Sequence, residues 1–177
     1  MTETVSVTLL ITSGSAIVIP GAPLTVPGIT PSGVSFTYNG TLTQLDTIAF
    51  TVTGQPCQQS GGTYCINGAG IVVVAGSTPV GGTSTFTGTF GTTAGTWNFG
   101  ALLMVISGVS PVGTVQIFPA NAQNGLGSTM PPVSLTLPAT SLASLGFSPF
   151  VVTNPTITFI VPDTYYPDNS GSFVLTQ

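Results

Sequence analysis

Short apolar runs in this chain alternate with Thr and Ser and are broken by Gly and Pro. That is the spacing of strands with one buried face, and nowhere does a helical period hold for long. Val5–Ile19 reads as two strands or one long interrupted strand, and the Pro-rich stretch Pro20–Gly33 as extended and poorly paired. Val34–Tyr38 and Asp46–Thr53 read as a hairpin around Asn39–Leu45, and Gly70–Ala75 as a buried strand. In Gly81–Thr96, alternating Thr and Phe predict a hairpin with one apolar face; a Thr array can also bind ice, but this repeat does not persist. Trp97–Ile106, Thr114–Phe118, Val133–Leu137, Thr156–Val161 and Ser172–Gln177 complete the series. About ten strands with this much alternation predict an all-β fold, an antiparallel two-sheet jelly roll or β-sandwich. The body spans residues 34–177, preceded by an N-terminal strand arm and Pro-rich linker over residues 1–33.

Composition narrows the function more than the fold. The 177 residues include no Lys, Arg or His and only four acidic side chains, Glu3, Asp46, Asp163 and Asp168. Nucleic-acid binding draws on Lys and Arg at phosphates, so that class is excluded, and an anionic membrane surface holds no attraction either. No apolar run approaches the roughly 18 residues of a membrane span. Acid–base catalysis and oxyanion stabilisation lack their usual side chains, and the chain is read as non-enzymatic. Asp163 and Asp168 could in principle act as a glycosidase pair, but their shared loop makes metal ligation the simpler reading. Cys57 and Cys65 flank a Gly-containing loop and are expected to form a disulfide, which implies an oxidising, extracellular or cell-surface setting. Two thiols without a His make only half a zinc site.

Half of the chain's four carboxylates fall in "VPDTYYPDNSGSF", Val161–Phe173. Its Pro, Asp, Asn, Ser and Gly are all turn formers, so a polar turn between two strands is one reading. Asp163, Asp168 and Asn169 together with loop carbonyls also supply the oxygen donors that calcium takes. Two carboxylates in one turn repel, and with no basic side chain in the sequence a metal ion is the strong positive partner left to them. Gly171 permits a tight exit from the loop and Phe173 anchors it to the core.

Asp163-x-x-Tyr166-x-Asp168-Asn169-x-Gly171-x-Phe173 resembles the C-terminal signature of the calcium-dependent galactose-binding bacterial lectins, the PA-IL-like jelly-roll family. "FGALLMVISG" and "VSFTYNG" followed by "DTIAFTV" resemble, in the same order, a central strand and an early hairpin of that family. The resemblance implies that Asp163, Asp168 and Asn169 give side-chain oxygens to calcium, with backbone carbonyls at Tyr165 and Tyr38. It also implies that the ion and the ligand-binding residues Asp163, Tyr166, Asp168 and Asn169 hold a sugar through its hydroxyls. The Asp-to-Tyr spacing is shorter than in those lectins, Asp168 replaces the first Asn of their pair, and their sugar-contacting His has no counterpart. Trp97, Tyr38, Tyr64, Tyr165 and Tyr166 are the aromatics able to stack on a sugar ring.

Two functions follow as expectations. One is a non-catalytic, extracellular, calcium-binding lectin-like protein whose partner is carbohydrate. The other is a self-assembling subunit of a surface layer or filament whose partners are copies of itself, a homo-oligomer or polymer, since a surface so poor in charge favours association.

Overall fold

β-Branched and aromatic residues in alternation do form strands in the computed structural model. It describes residues 14–177 except 22, 29, 55–56, 59–63, 67–71, 75–84, 99, 119–134 and 164. In chain order the first strands are β1 (Leu24–Pro27), β2 (Val34–Thr37), β3 (Thr41–Thr43), β4 (Thr47–Gly54), β5 (Cys57–Gln58), β6 (Tyr64–Ile66) and β7 (Val72–Val74). Then come β8 (Thr85–Phe90), β9 (Thr93–Asn98), β10 (Leu102–Ile106), β11 (Thr114–Phe118) and β12 (Leu135–Ser141). A single helical turn α1 (Leu142–Leu145) precedes β13 (Val151–Thr153), β14 (Thr156–Ile160) and β15 (Ser172–Thr176). Among the described residues no helix is long and apolar enough to cross a membrane.

Two four-stranded antiparallel sheets carry the fold, in the orders β1-β15-β4-β12 and β11-β10-β14-β2. Their inner faces meet in one buried cluster. Val26, Ile48, Phe50, Val52, Phe173 and Leu175 from the first sheet face Leu102, Met104, Ile106, Ile157 and Phe159 from the second. Phe50 packs edge-on against Phe159 across the gap, with ring centroids 5.7 Å apart. Each such side chain contributes about 1.5–3 kcal/mol by leaving water. The expected all-β sandwich is therefore present.

The two sheets treat their outer faces differently, and the sequence records it. β4 alternates buried and half-exposed positions because its outer face is wet. β10, "LLMVI", is apolar throughout because the β8–β9 hairpin lies over it. Trp97, on that hairpin, joins Ala101, Leu103 and Ile160 in a second buried cluster, with Phe90 and Val105 packed against it. The indole N–H donates to the Gly88 carbonyl at 2.9 Å, satisfying the polar edge of a side chain buried for its area. On uncovered faces, hydroxyls pair across strands where other proteins place ions. Ser35 meets Thr158 at 2.8 Å and Thr51 meets Thr136 at 3.0 Å, each pair directly opposed in register.

Several expectations change. Val34–Tyr38 and Asp46–Thr53 do form strands, but not a hairpin: β2 pairs with β14 and β4 with β12 and β15, in different sheets. The intervening residues form β3, which pairs with β13 and buries Leu42 completely. Trp97–Ile106 breaks into β9 and β10, since one part turns over the sheet that the other belongs to. The Pro-rich stretch is not unpaired. β1 lies along β15 at a sheet edge, where Pro27 needs no ladder partner on its solvent side.

The expected boundary at residue 33 is crossed by the core itself, because Ile17, Ile19 and Val26 all belong to the main cluster. Where β15 runs out beside β4, residues 15–17 take its place. Thr47 N–H donates to Ser15 O at 2.9 Å, and Ile17 N–H to Thr47 O at 2.7 Å. The Gln177 amide extends the ladder, giving to Ile17 O at 2.7 Å and Ala49 O at 3.1 Å and accepting from Ile19 N–H at 2.7 Å. A Cβ on Gly14 would overlap the Leu45 carbonyl oxygen, so the close approach of this segment requires glycine.

Candidate metal centre

The stretch singled out in the sequence is the β14–β15 connection, residues 161–171, at one end of the sandwich. Its start is tethered by Gly100 N–H donating to Pro162 O at 3.2 Å. Its end is tethered to the chain just past β1, where Gly28 N–H donates to Gly171 O at 3.0 Å. Gly171 has φ 76°, the left-handed conformation expected of a tight exit, and Phe173 beyond it is fully buried.

Asp163 and Tyr166 shape the first half of the loop. The Asp163 Oδ1 accepts from Tyr165 N–H at 3.1 Å, an Asx turn. The Tyr166 hydroxyl accepts from Asp163 N–H at 3.1 Å and donates to Val161 O at 3.1 Å. Burial raises the Tyr166 pKa above its ordinary 10.0; the Asp163 N–H opposes that shift and the negative charge of Asp163 adds to it. Tyr166, expected at a ligand, therefore spends its hydroxyl on the loop's own backbone. Tyr165 instead stands 62% exposed.

Asn169 closes the second half. It follows a 3-10 turn, Tyr166–Asp168, and its N–H donates to Tyr166 O at 3.1 Å. The Asn169 Nδ2 donates to Gly28 O at 2.9 Å, which fixes the amide's orientation. That leaves Asn169 Oδ1 buried with no hydrogen-bond partner among the described residues. Buried polar atoms are satisfied with few exceptions, and an amide oxygen can only accept or ligate.

The remaining expected donors divide. Asp168 lies on the same turn, with its side chain outside the described residues. Tyr38 is not brought to the loop. It follows β2, whose Thr37 is opposite Thr156 at the start of β14, while the loop leaves from the end of that strand. The Tyr38 N–H itself donates to Pro155 O, and five strand steps at about 3.3 Å from there to Ile160 place it about 17 Å away along β14. The chain that does approach is the segment at Gly28, which sequence spacing could not indicate because the contact spans 141 residues. Of the aromatics proposed for stacking, Trp97 is buried under its hairpin and Tyr38 packs on the core. The side chain of Tyr64 lies outside the described residues.

Among the described residues no three His, Cys, Asp or Glu side chains gather. A cation here would draw on amide and carbonyl oxygens beside its carboxylates, a donor set suited to calcium and not to zinc. The residues fit in part: Asp163 and Asn169 present oxygens on one tethered loop, and Tyr38 does not take part. Comparison with protein-family models, with curated proteins and with solved structures finds no match for this chain.

Proposed function

We propose that this protein is a non-catalytic β-sandwich that binds calcium at the β14–β15 loop and, through that ion, the hydroxyls of a carbohydrate. The observation that carries the reading is Asn169 Oδ1, buried without a partner and held in place by its own Nδ2. Leaving such an oxygen unsatisfied costs about 1–3 kcal/mol, which a bound cation would recover. Asp163 and Asp168 bring the negative charge, in a chain with no side-chain cation to offset it. Tyr165, exposed on the same loop, offers a ring face for a sugar to stack on. The likeness of Asp163 to Phe173 to the lectin signature supports the same reading, as does the sandwich in which the loop sits. A glycan array probed with and without chelator tests it. Calcium-dependent retention of glycans supports the proposal, and glycan binding that survives chelator removes the ion from the recognition step.

A second reading, association of copies, draws on a chain in which only 2% of residues are charged, with Val18 and Val151 exposed at 70% and 73%. Sizing of calcium-loaded and calcium-free protein separates the two, since association through apolar surface does not need the ion.

A further inference from the structure

We infer that Cys57 and Cys65 form a disulfide that locks the β5–β6 pair. The strands run antiparallel, and the register sets Cys57 directly opposite Cys65, with Gln58 opposite Tyr64. Directly opposed residues in an antiparallel pair have Cα atoms about 4.5 or about 5.5 Å apart, depending on hydrogen-bonding position. Both separations lie in the range of about 4.4–6.8 Å that a disulfide bridges. A shift of one residue in either strand would put the two cysteines on opposite faces of the sheet. They are the only cysteines in the chain, so no competing intrachain pairing exists.

The bond also fixes more than one hairpin. Cys65 is opposite Val73 of β7 in the same three-stranded sheet, so holding β6 against β5 holds the middle strand on which β7 pairs. Nothing in this inference depends on the metal site, which lies in a different sheet connection.

The oxidant is a small-molecule disulfide. One cysteine thiolate attacks it, forms a mixed disulfide and releases one small thiol. The second thiolate attacks the protein sulfur of that mixed disulfide, forms the Cys57–Cys65 bond and releases the second thiol. Two protein thiols are oxidised, and one external disulfide is reduced to two thiols.

Full-length protein equilibrated in oxidised and reduced glutathione, acid-quenched, denatured, alkylated and weighed intact tests the pairing. The expected product is a monomer lighter than the dithiol by two hydrogens, carrying neither glutathione nor alkyl groups. Cys57→Ser, handled identically, should carry one glutathione on Cys65. Overturning results are wild-type chains with glutathione on both cysteines, two alkylatable thiols at an oxidising ratio that modifies the single-cysteine variant, or disulfide-linked dimers. Because the readout is covalent mass, it holds even where a variant folds poorly.

Discussion

Asp46 and Asp163 both sit in polar turns at strand connections and both accept from backbone N–H groups, but their surroundings differ. Asp46 is 5% exposed and spent on the fold. Its Oδ1 accepts from Ser15 N–H at 2.6 Å, and its Oδ2 from Thr43 N–H at 2.6 Å and the Thr43 hydroxyl at 3.2 Å. These charge-assisted bonds clamp the first described residues onto the β3–β4 turn. Asp163 instead orders a loop whose neighbouring Asn169 keeps a buried oxygen unpartnered. Asp46 is structural, and the unpartnered Asn169 Oδ1 is the acceptor on which the calcium proposal rests. In a chain without side-chain cations, carboxylate count alone does not tell which oxygens the fold has already used, whereas hydrogen-bond accounting at Asp46 does.

The largest effect is expected at Asp46. Asp46→Ala removes one acceptor from each of two backbone donors, and should cost about 3–5 kcal/mol in urea unfolding whether or not calcium is present. A loss under about 1 kcal/mol would mean that the clamp contributes little. Asn169→Leu sharpens the other side. It removes the idle oxygen together with the Nδ2 bond, so metal-free stability should move by no more than about 1 kcal/mol. The calcium response should vanish, about 2.7 kcal/mol at a hundredfold excess over the dissociation constant. Differential scanning calorimetry with calcium and with chelator reads both numbers.

Tyr166→Phe comes next, costing about 1 kcal/mol through its lost hydroxyl bonds. It should also alter the alkaline limb of stability. Because the folded-state pKa lies above 10.0, the folded protein holds this proton where the unfolded chain has released it. That contribution is complete below pH 10 and is lost as pH rises through the raised value. The phenylalanine variant should therefore decline less steeply above pH 10, as circular dichroism against pH would reveal; an unchanged slope would place the hydroxyl in water. The smallest effect belongs to the hydroxyl pairs. Thr136→Val breaks the contact to Thr51 and should shift stability by about 0.5 kcal/mol or less. With no Lys, Arg or His, no side-chain ion pair exists for salt to screen, so sodium chloride should leave the melting temperature nearly unchanged.

Strand content was legible wherever alternation and turn residues coincided. Thr114–Phe118 forms a strand where the pattern puts it, and the Thr/Phe stretch contributes to a hairpin, β8 with β9. Pairing was not legible. Ser35 finds Thr158 across 123 residues, and nothing local distinguishes that partner from the nearby Asp46–Thr53 strand. Proline misdirected the reading at Pro20–Gly33, because an edge strand tolerates what a central one does not. At the site, the loop, its Gly171 exit and its Phe173 anchor could be read from residue types. Three features could not: the inward turn of Tyr166, the contact of Asn169 with Gly28, and the distance of Tyr38. Each depends on which end of a strand faces which neighbour, a property of the assembled sandwich.

Calorimetric titration of calcium into chelator-treated protein, beside Asn169→Leu, decides whether the β14–β15 loop holds the ion. Expected are one site per chain and no binding by the variant. Absence of binding heat from well-folded wild-type protein, with the same melting temperature in calcium and in chelator, would contradict calcium binding and leave residues 161–171 as a plain turn between β14 and β15.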